Sequence, residues 1–377
     1  MKVLSLFDGM SCGMIAFRQC GIKPERYVAY EIDKYAIKVS QHNFPEIEHR
    51  GDVFEADFKE FEGFDFLIGG SPCTYWSIAK GKGRETEAHG EGWKLFQQFI
   101  RAVKEAKPTV FIYENNKSMS KAIKDEISNT FGFEPICINS ALVSAQKRER
   151  YYWLGVRNRH GEYVQGFMTQ PGDKGICLRD ILESGEDLTS NEKSYVLTAT
   201  YNGAVPWNTI ERKQRSMVAE PIRVGLFPLG AKTGLYAVPM RVKEATKKGY
   251  VDVEAGTCVD LTQPNFKTRR GRLMEEKSNC LTTSHGMYQY LGATNERIYE
   301  VKNGQIEIRG KFYPIKLVDG QYIIRKLTVG ECKKLQTVPD WYDMSVLSDN
   351  QSYKCLGNGW TVDVIVHLIT HLKANYL

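Results

Sequence analysis

The feature that most constrains this chain is the alternation, over its first 157 residues, of short β-branched or aromatic runs with amphipathic helical patterns. Parallel strands need a crossover long enough to hold a helix, so this alternation is the grammar of a helix-covered α/β sheet. Strand candidates are Val3 to Phe7, Tyr27 to Glu31, Phe64 to Ile68, Val110 to Tyr113, Ile136 to Leu142 and Tyr151 to Val156. Between them the spacing predicts helices over Met14 to Cys20 (closed by Gly21), Lys34 to His42, Trp93 to Ala106, and Ser118 to Thr130 (closed near Gly132).

After about Asn158 the pattern changes to short strands and frequent turns, such as Tyr201-Asn202-Gly203, Val301-Lys302-Asn303-Gly304 and Val318-Asp319-Gly320. A mostly β segment is expected over 158–324. Helical periodicity returns from Arg325, in Val329 to Gln336 and Thr361 to Ala374, and should let the C-terminus pack back onto the first part. The expected organisation is one domain of residues 1–157 and 325–377, with 158–324 inserted. The stretches 193–200 (KSYVLTAT) and 277–284 (KSNCLTTS) resemble each other, yet are too short to claim a repeat.

Composition bounds the function. With 42% hydrophobic and 25% charged residues, the chain of 377 is an ordinary globular sequence. No apolar run approaches the roughly 18 residues that span a membrane, and Asp8 interrupts the opening apolar stretch. None of the nine cysteines stand in C-x-x-C spacing, which argues against a disulfide framework and a zinc finger. A soluble protein of a reducing cytoplasm is expected. The net charge of +6 is local: between Glu211 and Lys277 stand 14 Lys/Arg and 8 Asp/Glu, the whole excess of the chain. Such a field fits a phosphate-rich partner, although a solvated face would also carry it.

The chemistry-bearing residues fall at strand ends. The strand Val3 to Phe7 runs into Asp8-Gly9-Met10-Ser11-Cys12-Gly13 and then a helix, a turn through which backbone amides can approach a ligand. Glu31 ends the next strand about 20 residues on, where an acid can bind ribose hydroxyls, and Gly51-Asp52-Val53 ends a third strand-like unit with another acid. Glycine turn, acid and second acid suit an adenosine-containing cofactor, though a tight turn and two surface acids would leave the same marks. Pro72-Cys73 follows the buried-type strand Phe64 to Ile68, Glu114-Asn115 follows Val110 to Tyr113, and Arg148 and Arg150 alternate in Gln146-Lys147-Arg148-Glu149-Arg150. A thiol, a carboxylate and two guanidinium groups thus point to one sheet edge, although a free cysteine is more often a small buried hydrophobe. His367 and His371 share a helical face but lack the other ligands of a zinc site.

In this order the motifs resemble the pyrimidine C5 DNA methyltransferases that use S-adenosylmethionine: Phe7-Asp8-Gly9, Glu31, Asp52, Pro72-Cys73, Glu114-Asn115, Gln146 to Arg150 and Gly357-Asn358-Gly359. The resemblance covers residues 1–157 and 325–377. It implies a Rossmann-like S-adenosylmethionine-dependent fold with a mostly β target recognition domain inserted before the C-terminal helix. It also implies that Cys73 attacks C6 of cytosine, with Pro72, Glu114, Asn115, Arg148 and Arg150 completing the catalytic set. The cofactor would be lined by Phe7, Asp8, Gly9, Met10, Ser11, Cys12, Gly13, Glu31, Ile32, Asp52, Val53, Leu95, Asn358, Gly359 and Trp360. Two positions depart from the family pattern: Asn116 replaces a branched apolar residue, and Ser11 or Cys12 replaces a second glycine.

The expected partner is double-stranded DNA, contacted through Lys267, Arg269, Arg270 and Arg272, with Lys247 and Lys248 beside them and the loops Asn202 to Trp207 and Thr282 to Tyr288 as candidate base readers. No metal and no membrane enter this reading, and the protein is expected to be a cytoplasmic monomer, bacterial or phage-encoded, within a restriction-modification or anti-restriction system. An RNA C5 methyltransferase on the same scaffold and a catalytically silent DNA-binding homologue are the competing readings. The long basic insertion speaks against the first, and retention of Cys73, Glu114 and both arginines against the second.

Overall fold

Val3, Leu4 and Leu6 have no exposed surface, and they make β1 (Lys2–Leu6) an inner strand of an eight-stranded mixed sheet. Its other members are β2 (Arg26–Tyr30), β3 (Glu48–His49), β4 (Phe66–Gly69), β5 (Val110–Asn116), β6 (Ile136–Asn139), β7 (Glu149–Arg157) and β8 (Tyr163–Gln165). The spatial order is β3-β2-β1-β4-β5-β7-β6, with β8 also on β7. The first five strands run parallel, and β7 is antiparallel to β5, β6 and β8. In a computed structural model of the chain, residues 1–222 and 297–376 are described, together with the backbone of the strands 227–228, 240–243, 250–253, 258–260, 272–274 and 287–289.

Parallel strands are covered on both faces, which is why Phe66-Leu67-Ile68 and Val110 to Tyr113 read as continuous apolar runs. One cover is the helix Glu91–Ala106, which buries Phe96, Phe99, Ile100 and Val103. Phe99 meets Tyr113 at 4.9 Å between ring centroids, and Phe111 meets Phe131 at 4.8 Å. Each such buried ring is worth about 1.5–3 kcal/mol of transfer free energy.

Local chemistry moves several expected boundaries. Ser120 caps the helix Lys121–Phe131 by accepting from Ile123 N, so that helix starts three residues later than the pattern implies, and Gly132 closes it at φ +83°. The strand Ile136–Asn139 ends early because Asn139 Oδ1 accepts from Ala141 N and Arg148 N, folding Ser140–Leu142 into a tight turn. The third strand is only two residues long, and Asp52 begins a 3-10 turn over Val53–Glu55 instead of ending a strand. After the insertion come Val329–Leu335, Asp349–Asn358 and Val362–Tyr376; the middle helix has no counterpart among the elements read from the pattern. His367 and His371 on the last helix both bond Thr169 Oγ1, and no His/Cys/Asp/Glu group that could hold a metal occurs among the described residues.

Contacts divide the chain into two units: Met1–Ile181 with Asn191–Ala204 and Leu327–Leu377, and Leu182–Ser190 with Val205–Lys326. The first unit therefore continues well past residue 157. The segment 193–200 belongs to it, because Ser194 exchanges backbone bonds with Ala145 and Lys147, and Lys193 Nζ donates to the carbonyls of Ala141 and Ser144. The second unit holds a six-stranded antiparallel sheet built from Glu186–Asp187, Met217–Pro221, Ile298–Lys302, Gln305–Ile308, Lys311–Pro314 and Gly320–Lys326. It also holds a four-stranded and a two-stranded sheet. Among the described residues no helix is long and apolar enough to cross a membrane.

Candidate active site

Strand register brings the expected residues to one edge of the first unit. Gly69 lies opposite Leu6 on one side and Tyr113 on the other, so the chain leaves β1, β4 and β5 side by side, delivering Phe7, Cys73 and Glu114 at neighbouring strand ends. Glu114 is still within β5, opposite Tyr152 of the antiparallel neighbour β7.

Glu114 is 8% exposed, and its carboxylate is held from both oxygens. Arg150 Nε lies 3.0 Å from Oε1, and the Trp360 indole N–H donates to Oε2 at 2.9 Å. Gly70 leaves room for it: a Cβ there would lie 2.8 Å from Oε2 and 2.9 Å from the Glu114 carbonyl. The neighbouring Asn115 Nδ2 donates to the Ser71 carbonyl at 3.1 Å, which ties the Ser71-Pro72 turn to β5. Pro72 then opens the 3-10 turn Cys73–Tyr75, whose Cys73 carbonyl accepts from Trp76 N and Ser77 N, leaving the half-buried Cys73 thiol unpaired with any other cysteine. Asn116 is buried in the same polar chain, donating to Asn115 Oδ1 and accepting from Ser118.

Arg148 is 4% exposed. Its guanidinium donates to the carbonyls of Leu197 (3.0 Å), Gly357 (3.3 Å) and Gly359 (2.9 Å). Burial, then the like charge of Arg150, lowers its pKa to about 10, against the opposing pull of Glu114 and Cys73. Two of these bonds fasten the Gly357-Asn358-Gly359 turn, and the third ties it to Leu197. Gly357 is required there, since a Cβ would fall 2.2 Å from the Thr198 backbone. A buried amide network completes the anchor: Gln146 Nε2 donates to the Leu335 carbonyl, and Gln336 Nε2 to the Leu356 carbonyl, both at 2.6 Å. Gln336 was not singled out by the sequence, because a buried amide that meets Gln146, 190 residues away, and the Leu356 carbonyl, 20 residues on, leaves no local pattern.

The first turn is shaped by left-handed residues at Phe7, Gly9 and Ser11. Asp8 faces inward, accepting from Ser5 Oγ at 2.5 Å, Tyr27 OH at 2.7 Å and Ser11 Oγ. Met10, Ser11 and Cys12 are buried, and burial pushes the Cys12 thiol up to about 12. Gly13 lets α1 (Cys12–Gln19) sit on β4, a Cβ there falling 2.3 Å from Ile68. Glu31 accepts from Gly9 N, Ile32 N and Asp33 N, each at 2.8 Å, and burial raises its pKa. Asp52 Oδ1 accepts from Phe54 N at 3.0 Å. Beside these acids stand two large apolar side chains in solvent, Ile32 at 73% and Phe54 at 48% exposure, whereas Val53 is buried. Phe54 is a residue the sequence pattern did not single out; an aromatic two positions after a strand-end acid was the available signal. Leu95 is half-buried, Asn358 is exposed, and a Cβ on Gly359 would meet Cys12 Sγ at 3.1 Å. Lys267, Arg269 and Arg270 lie outside the described residues, as do Lys247, Lys248 and all but the last positions of Thr282 to Tyr288; Arg272 opens the strand Arg272–Met274, of which only the backbone is described.

A family model for C-5 cytosine-specific DNA methylases matches residues 1–374. The chain belongs to that family. Its activity is methyl transfer to C5 of cytosine in DNA, the activity expected from Pro72-Cys73 and Glu114-Asn115. The orphan methyltransferase M.SPRI of Bacillus phage SPR is 25% identical, matching 100% of this chain and 98% of the phage protein. The type II methyltransferase M1.ScrFI of Lactococcus lactis subsp. cremoris is 32% identical over 49% of each chain. Among solved structures, a DNMT2 mutant from Spodoptera frugiperda matches 99% of both chains with a TM-score of 0.53 and 16% identity. That likeness speaks for the fold, a Rossmann-like mixed sheet with an added antiparallel region, as the sequence reading expected of the family.

Proposed function

We propose that this DNA C5-methyltransferase uses Cys73 as nucleophile, Glu114 as the group that shares a proton with the base, and S-adenosylmethionine as methyl donor. The observation that carries the reading is the placement of Cys73 and the doubly held Glu114 at the ends of adjacent parallel strands, where open α/β sheets bind their substrates.

Cytosine C5 is a weak nucleophile. Addition of the Cys73 thiolate to C6 breaks the aromatic system and makes C5 enamine-like; after methyl transfer, loss of the C5 proton expels the thiolate. Glu114 keeps negative charge from building on the ring by sharing a proton with N3 and accepting from the amino group. Arg150 and Trp360 fix its rotamer. Arg148 we assign to holding the Gly357 to Gly359 turn, leaving Arg150 as the guanidinium nearest the base. C5 and C6 are stacked inside a duplex, so the target cytosine leaves the helix before Cys73 reaches it.

The residues present fit the cofactor. Glu31 fills about three of its four acceptor positions with backbone amides, leaving one for a ribose hydroxyl. Ile32 and Phe54, exposed after the adjacent strands β2 and β3, offer apolar walls for an adenine, with Asp52 Oδ2 free to accept from its amino group. Phe7, Gly9, Leu95 and Trp360 complete the cradle, while Asp8, Met10, Ser11, Cys12, Gly13 and Val53 shape it from within. When bound, S-adenosylmethionine supplies the methyl group from its sulfonium. The second unit reads double-stranded DNA, with Lys267, Arg269, Arg270 and Arg272 on phosphates, and the enzyme, bacterial or phage-encoded, works as a monomer in the bacterial cytoplasm. Methyl-labelled S-adenosylmethionine offered with duplex DNA or with RNA tests this: label entering duplex DNA supports it, and label entering only RNA, or neither, overturns it.

A further inference from the structure

The second unit presents two basic turns on one indole. The short helix Pro206–Ile210 carries Trp207 and runs into Glu211-Arg212-Lys213-Gln214-Arg215; the hairpin Gln305–Ile308 and Lys311–Pro314 turns at Arg309-Gly310. The guanidinium carbons of Arg212 and Arg309 each lie 4.5 Å from the centre of the Trp207 ring, so they are no further apart than twice that distance. Both arginines are exposed, and neither has a carboxylate in ion-pair reach among the described residues. The neighbouring Glu211 is engaged by the Tyr313 hydroxyl, which ties one turn to the other.

Backbone chemistry points the same way. The turn Arg309-Gly310 has positive φ at both residues (55° and 75°), the geometry of a two-residue hairpin in which Asn-Gly is favoured. The preceding hairpin of the same sheet uses that pair, Asn303-Gly304, at φ 52° and 67°. Arginine at position 309 therefore goes against local preference. Lys213 and Arg215 are likewise held at φ 53° and 56°. Two like charges held against one indole, one of them at a position the backbone does not favour for it, are arranged for an anion from outside.

We propose that Arg212 and Arg309, oriented by Trp207, form a phosphate-binding site through which the second unit grips the DNA backbone. Cation–π packing leaves the guanidinium edges outward, as bidentate phosphate contacts require, and consecutive phosphates of one strand are close enough for two cations so spaced. The proposal rests on the reading of this unit as the DNA-binding one.

The test is binding of a random-sequence duplex to the full chain by fluorescence anisotropy across a salt series. The Arg212→Gln, Arg309→Gln double variant should bind roughly tenfold or more weakly at about 0.1 M salt, with the slope of log K against log salt reduced by about one to two units. Lysine at both positions should restore the slope but only part of the affinity, since an ammonium does not stack as a plane. Unchanged affinity and slope in the glutamine variant would overturn the proposal, as would a loss of affinity with the slope intact and a lowered melting temperature, which would make the arginines structural. A changed set of methylated sequences at unchanged slope would also overturn it, in favour of base contacts. If the wild-type protein itself binds no duplex, the reading of the second unit falls first; a defect confined to the glutamine variant cannot be confused with that.

Discussion

Arg148 in the first unit is buried with its guanidinium on three carbonyls, whereas Arg309 in the second stands in solvent on the face of Trp207. The two side chains are chemically identical. Burial forces the first to satisfy its donors inside the protein, so it becomes a fastener for the turn that carries Trp360, and through Trp360 for Glu114. Exposure frees the second to meet a ligand. The same contrast runs through both units: the first fixes a reacting geometry with buried hydrogen bonds, and the second presents charge at turns.

If the first unit works by fixed geometry, Cys73→Ala should show the largest effect, lowering methyl transfer by roughly 10⁴-fold or more while leaving S-adenosylmethionine affinity nearly unchanged in calorimetry. Appreciable turnover would break the covalent mechanism. Gly70→Ala follows, because its Cβ would push the Glu114 carboxylate aside and crowd the Glu114 carbonyl; kcat should fall by about 10²-fold, with a lowered melting temperature from the backbone contact. Arg148→Met sharpens the distinction between fastening and catalysis. Leaving three buried carbonyls without donors should destabilise the first unit by about 2–4 kcal/mol in denaturant titration, with a matching loss of cofactor affinity. A stable, cofactor-binding variant that fails only in catalysis would return Arg148 to the base. Glu31→Ala and Asp52→Ala should each weaken S-adenosylmethionine binding by about 1–3 kcal/mol, and unchanged affinity in both would move the cofactor elsewhere. On the other side of the comparison, neutralising Arg269, Arg270 and Arg272 should flatten the salt dependence of DNA binding by up to about one unit per lost contact.

The first unit was legible because its chemistry sits at strand ends that alternation marks. Pro72-Cys73 and Glu114 follow apolar runs that could only be buried strands, and the order of the loops fixed which acids could face a cofactor. What escaped was set by contacts distant in sequence. The helix Asp349–Asn358 lacks a strong apolar stripe, and the sequence shows neither that Gly357 is glycine to admit the Thr198 backbone nor that Gln336 meets Leu356. Asp52 and Asn139 read as strand positions because capping an ensuing turn leaves no periodic trace. In the second unit charge was legible as a sum between Glu211 and Lys277, but the Trp207 site draws Arg309 from outside that segment, a pairing created by the hairpin register.

The central claim, that Cys73 adds covalently to the target base, is tested most directly with duplex DNA carrying 5-fluorocytosine throughout, in the presence of S-adenosylmethionine. Fluorine cannot leave C5 as the proton does, so the account predicts a denaturant-stable protein–DNA adduct that peptide mapping assigns to Cys73 and that Cys73→Ala lacks. An enzyme that methylates ordinary duplex yet gives no such adduct, or carries it on another residue, would contradict the mechanism.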